Sequence, residues 1–146
     1  MSSSSIEEIV QDCLAVRVRL IGRAVTALYD GALDGHGVTI AQLNLLAALG
    51  RIGPCPPATL GATLQLERST VSRNLGLLMR HGWIEACSSD AKGVREVAIT
   101  PAGRAKIESV VPAWRRAQEQ AAELLGTAGV LAMQEMAADL GYPPTR

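Results

Sequence analysis

The fold is decided by residues 60–85, which read LGATLQLERSTVSRNLGLLMRHGWIE. On a helical wheel of about 100° per residue, Val71, Leu75 and Leu78 fall within about 60° of one another. This spacing predicts a helix from Arg68 to Arg80 with one buried apolar stripe. The opposite side of the predicted helix carries small, hydroxyl-bearing and cationic residues, namely Ser69, Ser72 at its edge, Arg73, Gly76 and Arg80.

The exposed residue types on this helix are those that recognise double-stranded DNA. Arginine pairs bidentately with guanine, asparagine such as Asn74 can read adenine, and serine reaches phosphates or base edges. Gly76 allows close approach to a surface, or is simply a weak point costing about 1 kcal/mol relative to alanine. Most amphipathic helices expose their arginines only to water. The neighbouring segments therefore decide whether this is a DNA-binding helix or an ordinary solvent-exposed one.

Two neighbouring segments favour DNA binding. A short helix from Ala58 to Leu64, with Pro57 in its first turn, precedes the basic helix across a tight turn, which is helix-turn-helix spacing. Gly82 ends the basic helix. Two β patterns, Trp83–Cys87 and Val94–Thr100, then flank a polar turn and predict a hairpin with a basic tip. That tip carries two cations suited to a minor groove or to phosphates, Lys92 and Arg95.

Long helical patterns flank this winged helix-turn-helix region, which spans about residues 39–101. One runs over residues 6–33; another begins at Thr100-Pro101 and continues to about residue 125, with a kink expected at Pro112. A last helix covers about residues 130–140, and Thr39 caps a helix of about residues 40–49. The expected fold is one domain over residues 1–146, mainly α with a small β-hairpin. Terminal helices (6–33 and 102–140) could form a two-fold dimer that sets two basic helices one DNA turn apart.

Residues 58–85, followed by Asp90, Arg95 and ITPAG ending at Gly103, resemble the MarR family of winged helix-turn-helix regulators. The resemblance covers about residues 39–104, and PAWRRAQ (112–118) also appears in many members. It implies an obligate homodimer whose interface is formed by both terminal regions. It also implies that Ser69, Thr70, Ser72 and Arg73 contact DNA and that Lys92 or Arg95 enters the minor groove.

The same resemblance implies repression that is relieved by a small, often phenolic ligand. Such a ligand would enter a pocket between the dimer and the DNA-binding parts, for which Tyr29 and Trp114 are the candidate residues. Packing within the dimer core is the alternative for Trp114, and we favour it. The sequence departs from many members in two places, because Lys92 and Arg95 are not adjacent and because Gly76 replaces a charged residue.

Composition excludes several other functions. The chain has 48% hydrophobic residues and zero net charge, so it is neither disordered nor generally basic. Residues 58–104 nevertheless carry net charge +2, from six basic and four acidic residues. With no Phe, two Trp and two Tyr, a stacking surface for single-stranded nucleic acid is not expected. The N-terminus lacks a signal-peptide pattern and no apolar run approaches about 20 residues, so we expect a cytoplasmic protein without a membrane partner.

The three cysteines are expected to be reduced. Cys13 lies on an apolar face of the first helical pattern, which favours a small buried thiol over a redox sensor. Cys55, in PCP, is expected in an exposed loop as the most reactive thiol, and is the other sensor candidate. Cys87 is expected to pack within a strand.

Catalysis and metal binding find no support in the sequence. His36 and His81 are far apart and lack ligand spacing, so no metal or cofactor is expected. Neither a nucleophile beside a base nor a glycine-rich phosphate loop is present, which argues against an enzyme. The remaining alternative to a dimeric DNA-binding regulator is a winged-helix interaction module that has lost DNA binding. Four cations expected around one surface argue against this interaction module, namely Arg73, Arg80, Lys92 and Arg95.

Overall fold

Six helices and one β-hairpin form the part of the chain that the computed structural model describes, residues 4–87 and 92–143. The mainly helical fold with a small hairpin is therefore confirmed. The elements follow one another as α1 (Ser5–Asp12), α2 (Leu14–Leu33), α3 (Ile40–Ile52), α4 (Pro57–Leu64), α5 (Arg68–Arg80), β1 (Ile84–Cys87), β2 (Glu96–Ile99) and α6 (Pro101–Asp139).

Local hydrogen bonds start the helices where the sequence predicts them. The Thr39 hydroxyl accepts from the Gln42 amide at 3.3 Å, while the Gln42 side chain accepts from the Thr39 amide at 3.1 Å, a complete capping box. The Thr100 hydroxyl accepts from the Gly103 amide at 3.0 Å and caps α6. Proline occupies the first turns of α4 and α6, where no backbone N–H is needed.

The end of α5 is a glycine C-cap, as the sequence predicts. Gly82 takes a left-handed φ of 73°. Its amide donates to the Met79 carbonyl at 2.9 Å, and the Trp83 amide donates to the Leu78 carbonyl at 3.0 Å. These two bonds form a Schellman motif, which satisfies the last carbonyls of the helix and turns the chain into β1.

The first long helical pattern breaks where no break was predicted, whereas the second breaks close to its predicted end at about residue 125 and not at the expected kink, Pro112. Residues 6–33 do not form one helix, because Cys13 takes an extended conformation (φ −64°, ψ 110°) between α1 and α2. Pro112 lies inside α6, but the non-helical backbone in that helix is at Gly126 (φ 69°, ψ 166°). Glycine adopts positive φ without a Cβ clash, so Gly126 divides α6 into 101–125 and 127–139.

Two connected clusters of buried side chains hold the described elements together. The first lies among α3, α4, α5 and the hairpin and contains Leu45, Leu46, Ala48, Leu49, Cys55, Leu60, Val71, Leu75, Leu78, Ile84 and Val97. The second joins the end of α2 and the start of α3 to α6 and contains Leu33, Val38, Leu43, Val110 and Ala113. Trp83 and Ile107 pack against both clusters, so they lie at the joint between them.

The hairpin is antiparallel and pairs Ile84 with Ile99 and Cys87 with Glu96. Its strands are shorter than the predicted β patterns, and the predicted tip residues 88–91, including Asp90, lie outside the described residues. A third segment joins β2 on its other edge: Cys55 donates to and accepts from Val97, at 3.2 and 2.9 Å. The prediction that Cys55 lies in an exposed loop is therefore wrong, because this pairing buries it to 5% exposure.

Side-chain hydrogen bonds connect distant elements. Asp30 near the end of α2 accepts from the Ile40 amide at 2.8 Å, which fixes the loop before α3. The Tyr29 hydroxyl bonds to Gln118 on α6. Gln65, between α4 and α5, donates to the Leu140 carbonyl at 3.2 Å, so the end of α6 returns to the helix-turn-helix. Among the helices of residues 4–87 and 92–143, none combines the length and apolarity required to cross a membrane.

Candidate nucleic-acid interface

The basic helix α5 is anchored by its predicted apolar stripe. Val71, Leu75 and Leu78 are all buried, with exposures of 2%, 5% and 0%. Gly61 on α4 lies beside this stripe, where an added Cβ would make ordinary van der Waals contact with Val71 Cγ2 at 3.4 Å. The stripe is confirmed, and it fixes which side of α5 faces outward.

The outward side of α5 presents most of the predicted DNA-contact residues together. Ser69, Ser72, Arg73 and Arg80 are exposed, whereas Thr70 and Asn74 are half-buried. Asn74 Nδ2 donates to the Thr70 carbonyl at 3.0 Å, so its amide is partly engaged by its own helix. The structure thus gathers four of the six helix candidates on one accessible face.

Arg68 is an exposed cation that the sequence argument did not select. The helical wheel places it only about 60° from Val71, beside the buried stripe. It lies in the first turn of α5, however, where no preceding turn covers its side chain. Its position directly after the cap residue Glu67 is the signal that could have identified it.

The turn before α5 has a non-glycine residue in the left-handed conformation. Gln65 has φ 50° and ψ 48°. Its amide donates to the Ala62 carbonyl at 3.3 Å, and the Leu66 amide donates to the Gly61 carbonyl at 2.9 Å. This closed turn fixes α4 against α5 with the short helix-turn-helix spacing predicted from sequence.

The hairpin places its two predicted cations on an exposed wing. Lys92 and Arg95 are both exposed and precede β2. The base of the wing is held by a bond from the Thr100 amide to the Trp83 carbonyl at 3.0 Å. Close packing fixes the same point, because a Cβ added to Gly103 would lie 2.1 Å from the Trp83 carbonyl oxygen. Gly103 in the ITPAG segment is therefore a position where α6 touches the backbone of Trp83, the residue before β1.

Two depressions lie on the described surface. One, of about 820 Å³, is mostly apolar and lies between α4, α5 and the wing; Arg68, Ser72, Gly76, Met79 and Val94 are among its lining residues. The other, of about 680 Å³, is open and runs along α2, where it is lined by Arg19, Gly22, Arg23, Thr26, Ala27 and Asp30.

The predicted ligand residues Tyr29 and Trp114 line neither depression. Both are half-buried where α2 meets α6, and Trp114 packs against the cluster of Leu33 and Val110. Burial raises the pKa of the Tyr29 hydroxyl. Trp114 thus packs within its own chain, while packing in the dimer core and the ligand pocket at these residues both stay predictions.

The cysteines differ from expectation in two cases. Cys13 is not a buried helix residue; it is half-exposed between α1 and α2. Backbone hydrogen bonds from Val16 and Ala15 lower the pKa of its thiol, with help from Arg17 and Arg19. Burial first, and then the negative charge of Glu96 and of Cys87, raise the pKa of the Cys55 thiol. Cys87 lies at the end of β1 and is half-exposed. Within residues 4–87 and 92–143, no three His, Cys, Asp or Glu residues group as metal ligands.

Comparison with known proteins supports the family resemblance. A sequence profile of the MarR family matches residues 36–93. A probable transcriptional regulator from Pseudomonas aeruginosa superposes with a TM-score of 0.78 at 26% identity, over 90% of this chain and 98% of that chain. Residues 36–93 match the MarR family, and the fold is that of a winged helix-turn-helix protein. The family resemblance read from the sequence is thereby confirmed.

Two further structures share this MarR-family fold at lower identity. A MarR mutant from Escherichia coli, complexed with operator DNA, has a TM-score of 0.76 at 20% identity and covers 94% of this chain and 99% of its own. BpsR from Bordetella bronchiseptica, whose DNA binding is regulated by 6-hydroxynicotinic acid, has a TM-score of 0.75 at 19% identity. The match covers 88% of this chain and 94% of that chain. No curated protein matches the chain.

Proposed function

We propose that this MarR-family protein is a dimeric, sequence-specific regulator that binds double-stranded DNA and represses transcription until a small ligand releases it. The observation that carries the proposal is the exposed face of α5, where Ser69, Ser72, Arg73 and Arg80 lie opposite the buried stripe. Exposed Lys92 and Arg95 on the wing extend the same cationic surface. A helix in the major groove and a wing in the adjacent minor groove would use all six side chains.

The comparison structures support this use of the surface. The fold of this chain matches that of the E. coli MarR mutant bound to operator DNA across nearly the whole length of both chains. A winged-helix interaction module without DNA binding is the competing proposal. It is disfavoured because such a module has no need of clustered guanidinium groups beside a closed helix-turn-helix.

Selection of binding sites from a pool of random duplexes, followed by titration of the selected duplex at several salt concentrations, tests DNA binding. Affinity should fall steeply with salt as phosphate counterions are released. Arg73→Ala should weaken binding by about 1–3 kcal/mol and relax base choice at one position. Arg116→Ala, which removes an exposed cation from α6, is the matched control and should leave affinity unchanged. No selected sequence, or equal effects of the two variants, would contradict the proposal.

Exposed apolar side chains on α1, α2 and the distal part of α6 support a homodimer. Leu14 and Val18 are 75% and 68% exposed, and they continue a stripe that reaches buried Leu33 along α2. Others in this set are Ile6, Ile9, Val10, Leu124, Leu131 and Met136. Burying each such side chain stabilises by about 1.5–3 kcal/mol, so a second copy is the expected cover for this surface.

Sedimentation velocity of wild type and of Val18→Glu tests the dimer. The wild type should sediment as a dimer, and the buried carboxylate of Val18→Glu should shift it toward monomer. Ala47→Glu places the same charge at an exposed position of α3 and should leave the dimer intact. A monomeric wild type would refute the homodimer.

For the ligand we propose a small aromatic carboxylate. The depression along α2 offers two cations, Arg19 and Arg23, above apolar surface, and its volume is within the usual range for small ligands. BpsR, which shares the fold, responds to 6-hydroxynicotinic acid. That compound and benzoate should raise the Tm of wild type but not of Arg19→Gln/Arg23→Gln. The same compounds should reduce operator binding and raise reporter expression; stronger binding or lower expression would contradict release from repression.

Redox sensing through Cys13 is a second candidate for the releasing signal. The observation that favours it is the position of the thiol at the start of α2, where two backbone amides stabilise the thiolate. Operator affinity should then fall after peroxide treatment of wild type and not of Cys13→Ser. Equal loss in both proteins would refute it. Cys55 no longer supports this role, because it is buried.

A further inference from the structure

Trp83 occupies the joint between the two buried clusters and directly follows the recognition helix α5. It packs against both the cluster beneath α5 and the cluster between α2, α3 and α6. Its amide closes the C-cap of α5, and its carbonyl accepts from Thr100 at the start of α6. Any rotation of α5 relative to α6 must therefore move this side chain.

Two side chains hold the Trp83 ring from different elements. His81, the C-cap residue of α5, stacks on it with ring centroids 4.3 Å apart and planes inclined by 12°. The Lys106 ammonium on α6 lies 5.1 Å from the ring centroid, within cation–π range. We call His81, Trp83 and Lys106 the Trp83 clamp.

Lys106 also reaches the loop that joins α2 to α3. Its ammonium donates to the backbone carbonyl of His36, and the side chain is half-buried. The same loop is fixed to α2 through the bond between Asp30 and the Ile40 amide. One ammonium thus connects the loop after the proposed dimerisation helix to the end of the proposed recognition helix.

We propose that Lys106 is a positioning residue for DNA binding: through the Trp83 clamp it sets the orientation of α5 relative to the α2–α3 loop. This inference rests on the proposed function, since it takes α5 as the helix that reads DNA. The Lys106 ammonium contacts the Trp83 ring and the His36 carbonyl, so we assign its charge to these contacts within the protein and not to a DNA phosphate. Movement of the α2–α3 loop would withdraw the His36 carbonyl from Lys106 and loosen the end of α5.

The salt dependence of operator binding distinguishes positioning from direct contact. Loss of a cation that neutralises a phosphate lowers the slope of log affinity against log salt by about 0.9, whereas loss of a positioning group lowers affinity at an unchanged slope. Lys106→Gln should therefore weaken binding by about 3- to 10-fold with the wild-type slope. Lys106→Arg keeps the cation and should restore affinity, while Arg95→Gln on the wing should reduce the slope.

Fluorescence of Trp83 provides a second test of the Trp83 clamp that needs no DNA. In a Trp114→Phe background Trp83 is the sole tryptophan. Lys106→Gln and His81→Ala should each shift its emission, and Lys106→Arg should return it to the parent value. Circular dichroism melts identify any variant that fails to fold, and His81→Phe, which keeps the stack without the imidazole, then replaces His81→Ala and should preserve the emission.

The outcomes separate the two proposals. If the wild type does not bind DNA, the proposed function is refuted. The Trp83 emission then tests only whether His81 and Lys106 contact the Trp83 ring. A wild type that binds, together with Lys106→Gln of unchanged affinity and emission, overturns the clamp. A lowered salt slope for Lys106→Gln also overturns it, because that result makes Lys106 a phosphate contact.

Discussion

Replacing Gly103 by alanine tests the packing that holds the wing against α6. An ideal Cβ at this position lies 2.1 Å from the Trp83 carbonyl oxygen, 2.8 Å from Ile99 Cγ1 and 3.0 Å from the Trp83 carbonyl carbon. The nearest atom is backbone, so no side-chain rotation can relieve the overlap. Either the start of α6 or the base of the wing must move.

The expected magnitude follows from two opposing effects. Overpacking typically costs about 1–3 kcal/mol and occasionally more, and the overlap here exceeds 1 Å, which places it at or above the upper end. Alanine is favoured over glycine inside a helix by about 1 kcal/mol. Gly103→Ala should therefore lower the free energy of unfolding by about 2 kcal/mol, with a Tm lower by roughly 4–8 °C.

Urea unfolding followed by circular dichroism, at one fixed protein concentration, measures this loss. Gly76→Ala is the matched control, since a Cβ there meets nothing within 4 Å. That variant lies within α5 and should gain about 0.5–1 kcal/mol. If Gly103→Ala is as stable as wild type, the close approach of α6 to Trp83 is not a feature of the folded protein.

Other predictions concern the anchor of α5 and the thiols. Leu78→Ala removes a side chain of 0% exposure and should lower the free energy of unfolding in urea by about 2–5 kcal/mol. Leu77→Ala, at the half-buried neighbouring position, should lower it clearly less. Equal losses in the two variants would refute the assigned stripe. Cys13 should react with a disulfide reagent faster than Cys55, as read from single-cysteine variants. The thiolate is the nucleophile, so the reaction rate of each cysteine rises with pH as its thiol ionises. Because the pKa of Cys13 is lowered, its reaction rate should rise at lower pH than that of an ordinary thiol. Because the pKa of Cys55 is raised, its reaction rate should rise at higher pH. A Cys55 that reacts first in the native protein would contradict its burial.

Local signals in the sequence were sufficient for most of the winged helix. The cap residues Thr39 and Thr100, the glycine at position 82 and the stripe of α5 act over three or four residues, so their pattern is legible without tertiary information. The same holds for the exposed face, because burial of Val71 and Leu75 determines where Ser72 and Arg73 must point. The roles of these exposed residues in binding DNA stay predictions.

Features that depend on contacts between distant segments were missed. Cys55 lies between prolines, a loop pattern, yet its backbone pairs with Val97 far along the chain. Periodicity continues through Cys13 because residues on both sides keep helical spacing, so it cannot reveal a single extended residue. The kink expected at Pro112 is not where the helical backbone of α6 breaks; the break lies at Gly126, close to the predicted helix end at about residue 125. The Trp83 clamp likewise joins three elements whose proximity no local pattern encodes.

A footprint of the wild type on its selected duplex, read with dimethyl sulfate at guanine N7 and with hydroxyl radicals along the minor groove, tests the central claim most directly. Two α5 helices of a dimer should protect two major-groove patches centred about 10–10.5 base pairs apart, or a multiple of that spacing. The two wings should add minor-groove protection on the outer sides, which should disappear when Lys92 and Arg95 are both replaced by alanine. A single protected patch, or protection unchanged by Arg73→Ala, would contradict reading of DNA by a symmetric pair of α5 helices.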